Sequence, residues 1–330
     1  MNQTPIPSES EQGLVAAWRL DGNGGGHPVG WPEIAAWRAE DELIWIHLDY
    51  SDPSTLHWLE EKSGIDPIVQ QVLVSDESRP RCERFEMGLL AILRGVNLNP
   101  GADPEDMVSI RIWLEENRII SCRRRRLASI SDLQESLRRG SGPRSQGGFL
   151  AQLSENLIKR MDSVIESLEV STESLEKRIS DDDGKLRGEI SDMRRMVIHM
   201  RRYLAPQRDA LKRLKAMEYD WMSPAARLRL NETADQTQGY LEGLDAIRDQ
   251  IQIVQEELTQ KYSEQTERRM YVLSIITTIF LPLGFLTGLL GINVGGMPGT
   301  DSPQAFWIVS LLALVVAGLS LWILHRMRWF

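Results

Sequence analysis

The 330-residue sequence has little cysteine and no excess of positive charge, and each shortage excludes a class of protein. Cys82 and Cys122 are its only two cysteines and form no CxxC pair. They indicate neither a secreted disulfide framework nor a zinc or redox site, so we expect two buried thiols in a reducing compartment. The net charge of −9 argues against nucleic acid as a partner, because phosphate binding draws on a basic excess. We expect cations as partners instead.

The sequence also lacks the short motifs of common catalytic sites. It has no P-loop, GxSxG, HExxH or strand-to-helix GxGxxG motif, so we predict that the protein is not an enzyme and needs no cofactor. His47 and Asp49 share one face of a predicted strand and could form a metal pair, but a structural histidine is the preferred interpretation. The basic run 123–126 lacks interleaved aromatic residues, which favours a solvated strand end over a nucleic-acid site.

The first twelve residues, "MNQTPIPSESEQ", are polar. They contain neither a basic segment nor an apolar segment, so no cleavable signal peptide is expected. We therefore expect the start of the chain to stay in the cytoplasm.

Two long apolar runs stand near the C-terminus, at 271–290 and 305–324. A helix of about 20 residues spans about 30 Å, the thickness of one hydrocarbon core, so each run is predicted to cross a membrane. Trp307 and Trp322 lie near the ends of the second run, where indole rings favour the membrane interface. A helix pair has no interior, so transport through this region would require several copies around an axis.

Lysine and arginine counts beside these spans predict their orientation. Arg268 and Arg269 precede the first span and Arg326 and Arg328 follow the second, whereas residues 292–304 contain neither lysine nor arginine. Basic residues accumulate on the cytoplasmic side, so both termini are predicted to face the cytoplasm. Arg326 and Arg328 could form a basic collar around an inner exit, or only anchor the helix at the headgroups.

One face of the first span is made of small or mildly polar residues at helical spacing. Such a face has two interpretations, close helix packing of the GxxxG kind or the wall of a narrow pore, and composition alone slightly favours packing. Pro282 is expected to cause a local kink in this helix. The face comprises Ser274, Thr277, Leu281, Gly284, Gly288 and Gly291.

The middle of the chain is predicted to be helical. Apolar residues at helical spacing predict one helix over about 149–179 and a second over 186–214, in which only Gln207 is polar on the apolar seam. A third is expected to run without interruption from about 225 to 290, joining a stalk to the membrane as one rod. The acidic turn at 181–183 could bind a cation, but a solvated turn is favoured because the spacing does not match an EF-hand.

The N-terminal third is predicted to be a mixed α/β domain. Strands are expected at "LVAAWRL", "LIWIHLDY", "MGLLAILRGVNL", "VSIRIWLEE" and "RIISCRR", the last two joined by a hairpin, with "GNGGGHPVG" as a loop. Helices are expected at "STLHWLEEKSG" and "DPIVQQVLVS", and a serine is expected to cap the helix in "SISDLQESLRRG". The predicted fold class is therefore an α+β membrane protein with domains at 1–148, 149–270 and 271–330, the middle one a helical stalk.

This architecture and the segment "TIFLPLGFLTGLLGIN", 278–293, resemble the CorA family of divalent metal-ion transporters. "RPRCERFEMGLLAILRG" resembles the family's cytosolic strand pair more weakly. The resemblance implies a homopentamer in the inner membrane whose first span lines the pore, which overturns the preference for packing. It also implies that Gly291, Ile292 and Asn293 form the outer selectivity loop, Asn293 contacting the hydrated ion. The implied pore wall comprises Met270, Ser274, Thr277, Leu281, Gly284 and Gly288.

The loop tripeptide is Gly-Ile-Asn and Leu290 precedes it, where the magnesium-type members of the family have Gly-Met-Asn preceded by tyrosine. The sequence resembles the ZntB zinc-transporter branch, which implies zinc as the transported ion and proton-coupled uptake, with export also proposed. Magnesium, cobalt or nickel is the alternative, and a membrane-anchored scaffold that transports nothing is a further one. Four acidic residues could line an inner funnel or form a solvated helix face: Glu256, Glu257, Glu264 and Glu267.

Overall fold

The computed structural model describes residues 13–76, 79–179, 185–292 and 302–326. The predicted acidic turn at 181–183 and the N-terminal segment 1–12 lie outside the described residues. The chain forms two compact units, Met1–Val254 and Gln255–Phe330. The three-domain division stays a prediction.

The first unit contains one seven-stranded sheet in the order β2-β1-β3-β7-β6-β5-β4. Only the pair β3 and β7 is parallel, and the other pairs are antiparallel, which confirms the predicted mixed sheet. Leu114 pairs with Ile119 across the expected hairpin. The strands are β1 (Leu14–Leu20), β2 (Gly26–Pro28), β3 (Ile44–Asp49), β4 (Arg81–Phe85), β5 (Gly88–Gly95), β6 (Val108–Leu114) and β7 (Arg118–Arg123).

Short helices cover one face of this sheet. Each of α2 (Pro53–Glu61) and α3 (Pro67–Val74) begins with an aspartate whose carboxylate accepts a backbone N–H, followed by a proline in the first turn, as is typical of helix starts. A further short helix, α1 (Trp31–Ala36), precedes β3. The apolar residues between sheet and helices include Ile46, Leu48, Leu59, Val69, Leu73 and Trp113.

Longer helices cover the opposite face. They are α4 (Ala128–Arg138), α5 (Gln146–Lys159), α7 (Leu186–Ala216) and the first turns of α8 (Pro224–Leu290). Their apolar sides share one core with the sheet, which buries among others Trp45, Phe149, Leu157, Leu211 and Leu230. The strands β5 and β6, each buried at all but one residue, lie between these two cores, as their nearly continuous apolar sequence requires.

The predicted single helix over 149–179 is wrong, because the structure has two helices there. α5 ends at Lys159 and α6 (Asp162–Arg178) begins two residues after Arg160. No glycine or proline marks the break. Instead the Arg160 guanidinium holds the turn through Nε and Nη2, which donate to Asp132 of α4 over 2.7 and 2.6 Å.

Two smaller predictions also need correction. The segment "GNGGGHPVG" contains the short edge strand β2 as well as a loop, since 26–28 pair with β1. α4 begins at Ala128 after Leu127, and no side chain caps it, so the expected serine cap is absent. Ser129 is buried inside the helix instead.

The predicted helices over 186–214 and over about 225–290 are confirmed. α7 has 31 residues and α8 has 67, and α8 runs from Pro224 to Leu290 with Pro282 inside it. A last helix, α9, spans Ala305–Arg326. Among the described residues, α8 and α9 are the two helices long and apolar enough to cross a membrane.

Candidate functional site

The predicted pore wall lies on the part of α8 that belongs to the second unit. Met270, Thr277, Leu281, Gly284 and Gly288 are exposed, and only Ser274 is half-buried. Leu281 retains 70% of its side-chain exposure. A row of small and apolar residues is thus largely uncovered within the described part of the chain.

The half-buried residues of the same segment lie mainly on another face. Ile275, Ile279, Leu283 and Leu286 recur at spacings of three and four, which places them in one row. α9 has a matching row of half-buried residues, comprising Val309, Ser310, Ala313, Val316, Ala317 and Ser320. The half-buried residues of α8 and α9 therefore lie in rows, and on α8 this row is separate from the predicted wall.

Two glycines of the wall, Gly284 and Gly288, face open space in the described part of the chain. A methyl group added at Gly284 or Gly288 would meet no atom within 4 Å. Glycine in a helix costs about 1 kcal/mol relative to alanine, so its presence needs a reason. Within the described part of the chain, no neighbour packs against these two glycines.

Hydroxyl groups on the segment are tied to the helix backbone. Thr277 Oγ1 donates to the Leu273 carbonyl oxygen over 2.8 Å, and Thr287 Oγ1 donates to the Leu283 carbonyl oxygen over 3.0 Å. Once the hydroxyl hydrogen is used in this way, its oxygen can only accept further hydrogen bonds. On the exposed face, Thr277 can therefore accept from water, including the outward-pointing hydrogens of a hydrated cation.

The helix ends at the predicted selectivity loop. The Gly291 N–H donates to the carbonyl oxygens of Thr287 and Gly288, over 2.9 and 3.2 Å, and closes the last turn. Ile292 follows and is half exposed. Asn293 lies outside the described residues, so its role stays a prediction.

The charged residues near the spans are solvated. Glu256, Glu257, Glu264 and Glu267 are all exposed, and Glu264 accepts a hydrogen bond from Gln260 over 3.0 Å. Each of their two interpretations remains open, since exposure fits both. Arg326 lies 5.7 Å from the centre of the Trp322 ring, in a cation–π contact near the end of α9. Arg328 lies outside the described residues.

His47 and Asp49 do not form a metal pair. His47 is fully buried, and its Nδ1 lies 2.8 Å from Ser121 Oγ, as expected for a structural histidine. Asp49 instead accepts from the backbone N–H and hydroxyl of Ser51. No group of three or more His, Cys, Asp or Glu residues that could hold a metal ion occurs within the described ranges. Arg124, Arg125 and Arg126 are exposed, as a strand end would have them.

The fold and this segment define a class of protein: an α/β domain with a helical bundle, followed by two C-terminal helices suited to a membrane. The sequence model of the family described as "CorA-like Mg2+ transporter protein" matches residues 40–326. The chain belongs to the CorA family of divalent cation transporters, which are ion transporters and not enzymes.

Relatives of similar length support this placement. "Divalent cation transporter CmaX" of Pseudomonas aeruginosa is 38% identical over 328 residues, covering 98% of each chain. "Zinc transport protein ZntB" of Pectobacterium carotovorum is 34% identical over 317 residues, covering 96% of each chain. The structure of full-length CmaX superposes with a TM-score of 0.84 and 38% identity, covering 98% of this chain and 100% of CmaX.

Proposed function

We propose that the protein is a homopentamer that moves zinc across the inner membrane, with the membrane segment of α8 lining the pore. The observation that carries this proposal is the row of small and apolar residues from Met270 to Gly288, which is exposed except at Ser274 within the described part of the chain. Copies arranged around an axis give this row a use, because one helix pair cannot enclose water.

The chemistry of the proposed wall suits a cation that keeps its water. Residues 270–292 contain no His, Cys, Asp or Glu, so the wall offers no ligand able to replace the hydration shell. Hydroxyl oxygens such as that of Thr277 accept hydrogen bonds from bound water instead. Asn293 would act in the same way at the outer mouth, since a carboxamide oxygen is a neutral acceptor.

Zinc is proposed as the ion because the loop reads Gly-Ile-Asn and because full-length relatives carry the name zinc transport protein. The wall itself does not distinguish zinc from magnesium, cobalt or nickel, all of which are strongly hydrated. Magnesium is the second candidate, since the matching family description names it. Proton coupling is part of the proposal, with uptake as the direction.

On the inner side, the proposal places the exposed acidic residues of α8 around a funnel. Four glutamates per chain, repeated around an axis, would raise the local concentration of cations. Arg326 and Arg328 would mark the cytoplasmic end of the second span. Both termini would lie in the cytoplasm.

Liposome flux of the purified protein tests the proposal. Zinc, magnesium, cobalt and nickel are compared side by side, each with and without a pH gradient. The expected result is zinc movement that responds to the gradient, and a native mass of five chains. If magnesium moves as fast as zinc and the flux does not respond to the pH gradient, the result would favour the magnesium-type alternative over zinc.

Asn293→Ala isolates the outer loop. Zinc flux should fall while the native mass stays that of the parent protein, because the loop contributes acceptors rather than helix packing. Asn293→Gln, which keeps the carboxamide, should retain more flux than the alanine variant. If the parent protein assembles normally but moves none of the four ions, the result would favour the scaffold alternative.

A further inference from the structure

A charged cavity lies at one end of the sheet in the first unit, away from the membrane segment in sequence. It has a volume of about 430 Å³ and lies where β3, β5 and β7 end and β6 begins. The carboxyl ends of the parallel strands β3 and β7 meet here, and such ends are common ligand sites. The side chains that matter on its wall are Tyr50, Asp76, Arg94, Asp106, Arg124 and Arg125.

A buried cation stands directly behind this wall. Arg111 on β6 is fully buried, and its guanidinium lies 4.7 Å from the centre of the Tyr50 ring. Its Nη2 donates to the Ser75 carbonyl oxygen, beside Asp76 of the wall. Its Nε and Nη1 have no hydrogen-bond partner among the described residues. One carbonyl oxygen and one aromatic ring offset this buried charge only in part, and an incompletely compensated buried ion costs several kcal/mol.

The cavity as a whole is positive. Guanidinium groups of Arg94, Arg124, Arg125 and Arg111 outnumber the two wall carboxylates. Those carboxylates are already engaged: Asp76 accepts from Arg124 over 2.6 Å and Asp106 from Arg125 over 2.5 Å. Among these six side chains, the four guanidinium groups therefore exceed the two carboxylates by two charges.

Arg94 and Arg111 also repel each other. Burial lowers the pKa of Arg94 and the charge on Arg111 lowers it further, while Tyr203 and Asp106 oppose the effect. Arg94 Nη1 donates to the Met107 carbonyl oxygen over 2.7 Å, which keeps the guanidinium at the wall. An anion in the cavity would relieve the repulsion between these two cations.

We propose that this cavity binds a small phosphate-bearing anion, with Arg94, Arg124 and Arg125 as direct contacts and Arg111 as the buried charge behind them. Arginine suits this role because its planar fork of donors matches phosphate oxygens. The volume admits inorganic phosphate, pyrophosphate or the phosphates of a nucleotide.

Such a ligand would contact Arg94, which also contacts helix α7. The Arg94 backbone exchanges two hydrogen bonds with the side chain of Gln207 on α7, and its guanidinium lies 4.0 Å from the centre of the Tyr203 ring, also on α7. Binding in the cavity and the packing of α7 against β5 therefore share one residue.

Calorimetric titration of the purified full-length protein in detergent tests the site without any measurement of flux, so its result is independent of the transport proposal. The probes are inorganic phosphate, pyrophosphate, ADP and adenosine, at constant ionic strength. We expect saturable binding of at least one phosphate-bearing probe. ADP binding more tightly than pyrophosphate would identify a nucleotide, equal affinities would identify the phosphate group alone, and adenosine should not bind.

The double variant Arg124→Gln with Arg125→Gln should weaken binding about tenfold or more, since it removes charged hydrogen bonds from exposed side chains that the fold does not need. The control is Arg138→Gln with Arg139→Gln, the last residue of α4 and the residue after it, which are both exposed and both ion-paired to Glu135. The control should bind as the parent does. Equal loss in both variants would reduce the effect to net charge and overturn the proposal, as would the absence of saturable binding.

Arg111→Met tests the buried charge. Thermal unfolding of this variant without ligand should occur no lower than that of the parent, because the substitution removes a buried guanidinium with two nitrogens that have no hydrogen-bond partner among the described residues. The increase in melting temperature that phosphate gives the parent should shrink. A lower melting temperature, together with an unchanged increase on addition of phosphate, would show that Arg111 stabilises the fold and does not contribute to binding. If Arg111→Met does not fold, the binding test relies on the double variant at 124 and 125.

Discussion

His47 is a titratable residue whose charge is suppressed by the core. Burial, and to a lesser extent the charge of Arg123, lower its pKa to about 3. Ser121 Oγ lies 2.8 Å from both Trp45 Nε1 and His47 Nδ1, so the indole and the imidazole share one hydroxyl. The histidine is thus neutral in the folded protein at every ordinary pH.

The free energy of unfolding should therefore depend on pH through His47. The unfolded chain takes up the proton near pH 6.5 and the folded chain only near pH 3, so stability is complete above the first value and falls as the pH decreases between the two. The loss should approach about 1.4 kcal/mol per pH unit. His47→Gln should flatten this dependence between pH 5 and about 6.5, measured by urea unfolding. His57→Gln, at an exposed position of α2, is the control and should keep the parent slope.

Gly284 gives a prediction of another kind, because the proposed pore places it against other copies of the chain. Gly284→Ala should leave folding intact, since the added methyl group meets nothing within 4 Å. Gly284→Leu should abolish most of the zinc flux in liposomes, because five leucines would meet around the proposed axis. Gly318→Leu is the matched control: Gly318 is an exposed glycine of α9 with the same empty surroundings. Equal effects of the two leucine variants would contradict the assignment of the pore face to α8.

Among the elements, β5 shows how a helix replaces a missing strand. β4 pairs with β5 only as far as Ile92, so the outer edge of β5 is open beyond it. There the Arg94 N–H donates to Gln207 Oε1 over 2.6 Å and Gln207 Nε2 donates to the Arg94 carbonyl oxygen over 3.0 Å. The side chain of Gln207, the single polar residue on the apolar seam of α7, thus forms the two backbone hydrogen bonds that a partner strand would otherwise form.

Gln207→Leu should therefore destabilise the protein by about 2 kcal/mol or more, because it leaves two backbone groups without partners. Urea unfolding followed by far-ultraviolet circular dichroism measures the change. Gln236→Leu makes the same exchange at an exposed position of α8 and should cost less than about 0.5 kcal/mol. If the two variants are equally stable, the hydrogen bonds to Arg94 contribute nothing.

Periodicity predicted the elements whose neighbours are close in sequence. The strands β5 and β6, the helix α7 and the uninterrupted α8 follow from apolar spacing alone. The break between α5 and α6 could not be predicted, because an ion pair between Arg160 and the distant Asp132 holds it. The spacing of small residues on α8 was visible in the sequence. Their exposure in the structure was not, because it depends on how the helices pack.

The basic run 123–126 is a similar case at the surface. The predicted exposure holds for 124–126, whereas Arg123 is half-buried. The ion pairs of Arg124 with Asp76 and of Arg125 with Asp106 were not predicted. Pairs that are 48 and 19 residues apart leave no pattern in the local sequence.

For the whole molecule, the distribution of thiols makes the membrane topology measurable. Cys82 and Cys122 are both buried, and burial raises their pKa values to about 11 and about 12. Since thiolate is the reactive form, neither native cysteine should react with a maleimide in the folded protein. Introduced cysteines can therefore report position without removal of the native ones.

Ser302→Cys and Ser263→Cys should report opposite sides of the membrane. Ser302 lies just before α9 and Ser263 is an exposed residue of α8 ahead of the first span. With both termini in the cytoplasm, a membrane-impermeant maleimide should label Ser302→Cys in intact cells and Ser263→Cys only in inverted vesicles. Inverted vesicles that leave Ser302→Cys unlabelled supply the control for sealing. Labelling of Ser263→Cys in intact cells would reverse the orientation and place the proposed acidic funnel outside, where it could not serve an inner mouth.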